Sequence, residues 1–312
     1  MQPSSFWAKL SGKKHAGAIL LAGILWGTIG LFVRALSQTG LSSLQLVFLR
    51  SAITAVALFF YLLLFCRQAL RIAWRDLWIF MGTGILSILF FSVLPLGMAS
   101  LLTQISIVLS IAAVLLYTAP VFVMLFSLGF FQEKLNVRKI LALLCCLMGC
   151  ALVSGVLGAS RLTLPALITG LLSGLGYSLY SVFGKFAVQK GYGALTTTFY
   201  TFLISAIAAL PFVGLGEIPQ KLALQGGSPF LIVLMGLFTS VIPYLLYTYG
   251  LWATAPAKAS ILASVEPVAA MLFGSIFFGE KLTLSSLAGM ALVLAAVALL
   301  SPKEKTARPA SP

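Results

Sequence analysis

The segment Pro120-Val121-Phe122-Val123-Met124-Leu125-Phe126 returns 147 residues later as Pro267-Val268-Ala269-Ala270-Met271-Leu272-Phe273. Each copy runs on into a Phe-Phe-x-Glu-Lys-Leu stretch, ending at Leu135 in the first and Leu282 in the second. The spacing is close to half of the 312-residue chain. Fainter echoes flank this pair. Trp26, Arg34 and Gly40 match Tyr177, Lys185 and Gly191 at an offset of 151, and Met81-Gly82 matches Met235-Gly236 at 154. Small changes in loop length account for the drift. The chain must therefore fold as one plan executed twice.

Those two copies lie in a sequence too apolar for water. It is 61% hydrophobic and 8% charged, against roughly 25% charged in a typical soluble domain. In a bilayer the outward-facing positions must themselves be apolar, and backbone polar groups must be satisfied within helices. A helix crossing the hydrocarbon needs about 20 residues, and ten segments qualify: 16–36, 44–65, 77–98, 105–129, 137–157, 164–188, 194–214, 230–250, 256–278 and 284–300. The fourth boundary rests on Pro95, Gly97 and Ser100, which predict a break near 99–104. Asn136 and Thr283 have the side chains expected of helix N-caps. No cleavable signal pattern follows Lys9, Lys13 and Lys14. The expected fold is an all-α polytopic membrane protein of ten transmembrane helices.

The distribution of basic residues orients the spans. With the N-terminus inside, fifteen Lys and Arg fall on the cytoplasmic side, including Arg67, Arg71, Arg75, Lys134, Arg138 and Lys139. Only Arg34, Arg161, Lys221 and Lys281 fall opposite, with Arg50 inside a span. Both termini are expected in the cytoplasm of a bacterial inner membrane. The formal charge of +14 is scattered as membrane anchors and forms no stripe for nucleic acid. An odd number of spans per copy turns the second copy upside down, giving two five-helix inverted-topology repeats. The expected division is 1–15 as a cytoplasmic segment, 16–157 and 158–300 as the repeats, and 301–312 as a disordered cytoplasmic tail. Inverted repeats supply two conformations of similar energy that expose a central site to alternate sides.

Several features together resemble the EamA-domain branch of the drug/metabolite transporter superfamily. They are the paired Pro-Val and Glu-Lys-Leu segments, Trp26-Gly27, Arg50 and Glu266-Pro267, and they cover about 16–300. The first copy departs by reading Ala119-Pro120, so any role of Glu266 belongs to one half. The resemblance implies ten helices around a central cavity and export of amino acids or related metabolites. Gly-Ile-Leu-Trp-Gly-Thr at 23–28 is similar to the aromatic amino acid exporter group.

Glu266 lies near mid-depth of the ninth span, where a carboxylate must be paired, protonated or facing a wet cavity. It is a candidate for proton coupling or for contact with a substrate amine; the alternative is a structural partner at the break made by Pro267. Arg50 is a candidate for a substrate carboxylate, or else bonds carbonyls of a broken helix. Facing one cavity, the two would hold the ends of a zwitterion. Trp26, Tyr117, Tyr177, Tyr180, Tyr247 and Trp252 are placed to line that cavity or to pack between helices. Pro95, Pro120, Pro243, Pro256 and Pro267 mark candidate helix breaks or gating points. Gly23/Gly27 and Gly170/Gly174 have the spacing that lets helices approach closely, here between the halves or in a homodimer. Arg34 and Lys185 read as interfacial anchors, with gate salt bridges as the alternative, and His15 as solvated. Cys66, Cys145, Cys146 and Cys150 read as buried small hydrophobes.

No nucleotide-binding, metal or catalytic pattern appears in the sequence, so neither an enzyme nor a cofactor is expected. The expected activity is secondary active export of a small metabolite, with an amino acid as leading substrate and proton coupling as a candidate energy source. A multidrug or organic-cation exporter is the alternative. A channel or a scaffold is a more distant one.

Overall fold

The computed structural model describes residues 5–36, 39–89, 115–154, 164–224 and 229–300. Among these the secondary structure is helical, joined by turns, with no strand, as suits an apolar chain in lipid. The first half contains α1 (Ser5–Trp26), α2 (Ile29–Leu36), α3 (Ser43–Phe65), α4 (Leu77–Met81), α5 (Ala119–Phe130) and α6 (Val137–Val153). The second contains α7 (Leu164–Gln189), α8 (Ala194–Ala209), α9 (Glu217–Leu224), α10 (Pro229–Gly236), α11 (Ile242–Leu251), α12 (Pro256–Ala263), α13 (Glu266–Phe278) and α14 (Leu284–Leu300). Six helical segments are long and apolar enough to cross a bilayer: Lys14–Leu36, Ser43–Phe65, Leu167–Gln189, Ala194–Phe212, Pro229–Leu251 and Pro256–Phe278. The protein is a multi-pass membrane protein. The break expected near 99–104, and Pro95 with it, lie outside the described residues.

Local signals act as their chemistry dictates. The Asn136 side chain accepts from the Lys139 amide at 2.9 Å, and Thr283 Oγ1 accepts from the Ser286 amide at 3.1 Å, so both are N-caps. Every described proline in the candidate set stands in the first turn of an α-helical segment: Pro256 in α12 and Pro267 in α13 follow a turn, whereas Pro120 in α5 follows a 3-10 turn and Pro243 in α11 a π-helical stretch without interruption. A proline there removes an amide that had no helical partner. After each Met-Gly pair the backbone widens into π-helix, at Gly82–Leu89 and Leu237–Val241.

The turns at the Phe-Phe-x-Glu-Lys-Leu stretches are built alike. Gln132 (φ 50°) and Gly279 (φ 66°) both adopt the left-handed conformation. The Glu133 amide reaches back to the Ser127 carbonyl at 3.1 Å, and the Glu280 amide to that of Gly274 at 3.4 Å. These are the same six-residue closure of a helix C-terminus.

The halves grip each other through small residues. A Cβ on Gly23 would lie 2.7 Å from the Ala263 carbonyl oxygen, and one on Gly27 would lie 2.7 Å from the Ala269 Cβ. Conversely, a Cβ on Gly170 would meet the Leu115 side chain at 2.5 Å, and one on Gly174 the Leu115 carbonyl oxygen at 2.8 Å. The first helix of each half thus seats at the helix break of the other. Of the two readings of these glycines, close packing between halves is the one observed. Buried apolar clusters around Ile19, Trp26, Tyr247 and Leu262, and around Met124, Cys146, Ile261 and Val293, also draw on both halves.

Three expectations need correction. His15 is buried, because its Nδ1 lies 2.8 Å from the Tyr249 carbonyl and its ring stacks on Tyr249 at 4.3 Å. Arg34 is no simple anchor: it pairs with Glu280 at 2.8 Å and lies 4.3 Å over the Phe278 ring. Lys185 donates to the carbonyls of Leu251 (2.7 Å) and Thr254 (3.4 Å). Cys146 and Cys150 are buried as expected, whereas Cys66 and Cys145 are only partly so.

Outside the spans, the α7–α8 turn is tied to the loop after α3. Tyr192 donates to Asp76 Oδ2 at 2.8 Å and Lys190 approaches Oδ1 at 3.3 Å. The Tyr192 hydrogen bond, followed by the charge of Lys190, holds the Asp76 carboxyl below its ordinary 3.8. A depressed carboxylate pKa stabilises the fold above the ordinary value and ceases to do so as pH falls through the folded-state value. Asp76→Asn should therefore lower the thermal unfolding midpoint in detergent at pH 7. The gap to the parent should close as pH falls below about 4, the ordinary aspartate range.

Gly174→Ala should destabilise by about 1–3 kcal/mol through overpacking. Gly129→Ala, where a Cβ meets nothing within 4 Å, should be neutral or slightly stabilising. Thermal unfolding of the two variants checks the contrast.

Candidate functional site

A cavity of about 240 Å³ lies between the halves, lined by Trp26, Val33, Ser43, Arg50, Leu116, Tyr177, Met235, Thr239, Tyr244 and Glu266, among others. Each half contributes to its wall. The α12–α13 break brings Glu266 here, because it stands in the first turn of α13, where free amides favour a negative charge. Tyr177 donates to Glu266 Oε2 at 2.9 Å. Arg50, only 7% exposed, comes from mid-α3 and lines the same wall as Tyr244. Its Nε has no partner. Among the described residues the cavity therefore holds one carboxylate and one guanidinium, with the rings of Trp26, Tyr177 and Tyr244 on the same wall.

Aromatic packing sets the shape of this wall. Trp26 makes edge contacts with Tyr177 (6.2 Å) and Tyr244 (5.1 Å) and a tilted contact with Tyr247 (5.3 Å). Tyr244 stands edge-on to Tyr180 at 4.8 Å. The hydroxyls are held in turn: Tyr180 with Thr248 at 2.8 Å and Tyr247 with Ser181 at 2.6 Å. Such pairing is what buried tyrosines require.

Beyond Glu266 the space narrows to about 20 Å³, roomy enough for about one water. Tyr117, Pro120, Tyr180, Tyr247, Ser87, Ser260 and Ser264 line it, and Trp26, Leu116, Tyr177, Tyr244 and Glu266 border both spaces. Among the described residues the space is thus wide on the side of Val33 and Ser43 and narrow on the side of Ser181 and Ser260.

Seven of the eight cavity candidates from the sequence meet here: Trp26, Arg50, Tyr177 and Glu266 at the wide part, and Tyr117, Tyr180 and Tyr247 at the narrow part. Trp252 does not, being 55% exposed at the surface. Pro120 borders the narrow part, while Pro243, Pro256 and Pro267 shape the breaks without lining either space. Tyr244 was missed, although it touches both spaces and stands on the same wall as Arg50. Its signal was present: Tyr244 and Tyr247 repeat the three-residue spacing of Tyr177 and Tyr180, which puts both rings on one helix face. Thr239 and Ser87, on the two π-helical segments, carried no sequence signal. Among the described residues no cluster suited to a metal ion occurs.

The model of the EamA-like transporter family matches this chain twice, over residues 14–155 and 164–301. The chain belongs to that family. An uncharacterized transporter of Archaeoglobus fulgidus is 33% identical over 282 residues, covering 90% of this chain and 93% of that one. The uncharacterized transporter YxxF of Bacillus subtilis is 28% identical over 298 residues, covering 93% and 91%. A solved crystal structure superposes with a TM-score of 0.70 over 96% of this chain and 97% of its own, at 18% identity, which speaks to the fold alone. The EamA chain described here is accordingly a membrane transporter, and its cavity lies where the two matched segments meet.

The Tyr177–Glu266 bond is testable in isolation. A hydrogen bond to a charged group contributes about 1.5–3 kcal/mol, so Tyr177→Phe should lower stability by about that much. In the Glu266→Gln background the same substitution should cost clearly less, because partners in one network are not additive. Unfolding midpoints of the four proteins in detergent give the coupling.

Proposed function

We propose that this EamA protein is a secondary active transporter that exports a small zwitterionic metabolite, an amino acid with an apolar or aromatic side chain, by alternating access. The observation that carries this reading is the presence of Arg50 and Glu266 on the wall of one cavity. A guanidinium and a carboxylate facing a shared space suit a ligand with a carboxylate at one end and an ammonium at the other. The rings of Trp26, Tyr177 and Tyr244 between them suit an apolar side chain.

The same reading takes the chain as ten transmembrane helices in two inverted five-helix repeats, divided at 157/158, with both termini in the cytoplasm of a bacterial inner membrane. The unequal width of the cavity on the two sides of Glu266 is consistent with a carrier held in one of its two states. Glu266 is the proposed proton-coupling group, since its bond to Tyr177 gives the carboxyl a partner that substrate or proton would replace. Pro120, Pro243, Pro256 and Pro267 are the proposed flexing points, each in the first turn of an α-helical segment.

A second reading has its own support. One carboxylate among three aromatic rings also suits an organic cation, through charge and cation–π attraction. Reconstituted vesicles loaded with labelled amino acids or with an aromatic cation separate the two, tested with and without a proton gradient. On the zwitterion reading, Arg50→Met and Glu266→Gln should each weaken amino acid transport about thirtyfold or more, as expected when one partner of a desolvated charge contact is lost. If cation flux survives Arg50→Met unchanged while amino acids are never carried, the organic-cation reading replaces it. Saturation of the flux counts against a passive pore.

A further inference from the structure

Glu133 and Glu280 occupy the same place in the two repeats, as do Arg34 and Lys185. Yet the four are not used alike. Arg34 pairs with Glu280 at 2.8 Å. Lys185 does not pair with Glu133, although Glu133 is near enough to attract it. Lys185 instead donates to the Leu251 and Thr254 carbonyls, at the end of α11 and in the turn before α12. Glu133 is held by Lys139 at 2.7 Å. Its oxygens are otherwise buried without hydrogen-bond donors, beside the unpartnered Ser127 hydroxyl.

We infer that Lys185 is a latch with two seats: the Leu251 and Thr254 carbonyls in the conformation seen here, and Glu133 in the alternate conformation, in which the narrow part of the cavity opens. The inference rests on the alternating-access reading above.

Three observations support it. The narrow part of the cavity measures about 20 Å³ against about 240 Å³ for the wide part, and the helices that line it include α7 and α11, which Lys185 ties together. The backbone that presents Glu133 is built as at Glu280, with a left-handed residue and the same amide closure, so the carboxylate is offered in the same way at both ends. The flanking rings repeat as well: Phe131 packs on Phe186 at 4.9 Å, next to Lys185, where Phe278 lies under Arg34. What differs is the occupant. Lys139 stands in for Lys185 at Glu133 while Lys185 caps carbonyls. A carbonyl pair left bare in a membrane protein is costly, so Lys185 leaves that seat only for a carboxylate or when the turn gains another donor.

Amide hydrogen exchange over residues 252–256, measured on the full-length protein in detergent without substrate, tests the latch directly. Lys185→Met should raise exchange there. Lys139→Met frees Glu133 to compete for Lys185 and should also raise it. Glu133→Gln removes the competitor and should lower it. Each shift should be about threefold, the population change that a partly exposed ion pair produces. The decisive contrast lies between Lys139→Met and Glu133→Gln, which break the same ion pair. If that pair serves only to hold the loop, both variants shift exchange in the same direction or leave it unchanged, and the latch is refuted. Opposite signs support it. No flux enters the measurement, so absence of amino acid transport would overturn the substrate reading and leave this result standing or falling by itself.

Discussion

The structure depends on a pair of close contacts that glycine alone permits. Gly23 and Gly27 of α1 lie against the α12–α13 break, and Gly170 and Gly174 of α7 lie against the break before α5. In lipid there is little hydrophobic gain from bringing helices together, so association relies on packing of small residues and on polar contacts. A helix that stops and restarts exposes carbonyls and amides that need a neighbour. Each half supplies that neighbour to the other. The reciprocity explains why the breaks persist without being smoothed into continuous helices.

From that contact the cavity follows. Because α13 restarts at Glu266, a carboxylate and the free amides of a helix N-terminus arrive together between the halves. The equivalent restart in the first half carries Ala119, and no second carboxylate enters. The pseudo-symmetric frame thus holds an asymmetric site. Arg50, from a different helix, provides the opposing charge, and the aromatic rings of α1, α7 and α11 fill the space between. Polar residues this deep in an apolar bundle are costly; Glu266 is held by Tyr177, and Arg50 faces the cavity beside Tyr244.

Much of this was legible in the residues, and for identifiable reasons. Long apolar runs, prolines and N-caps are local signals, so the described spans, the helix restarts and the caps at Asn136 and Thr283 emerged from short windows. The cavity set was recoverable because mid-span charge and paired aromatics are rare in lipid-facing sequence. What escaped depends on contacts between segments far apart in the chain. Arg34 looks like an anchor until Glu280, 246 positions away, is brought to it. His15 sits by a membrane entry and so reads as wet, but Tyr249 covers it. Lys185 finds carbonyls, which no sequence pattern labels. Tyr244 carried a signal in its spacing from Tyr247, but only a folded Arg50 gives it a role.

The central claim is that one cavity between the halves is reached from each side of the membrane in turn. Leu116 borders both the open and the narrow parts of that cavity. A cysteine placed there, Leu116→Cys, and probed with a membrane-impermeant thiol reagent added to either face of oriented vesicles, tests the claim most directly. The parent protein gives the background of its four native cysteines. The account predicts modification from both faces, with transported substrate slowing it on each. Modification from one face only, unchanged by substrate or by a proton gradient, would contradict it.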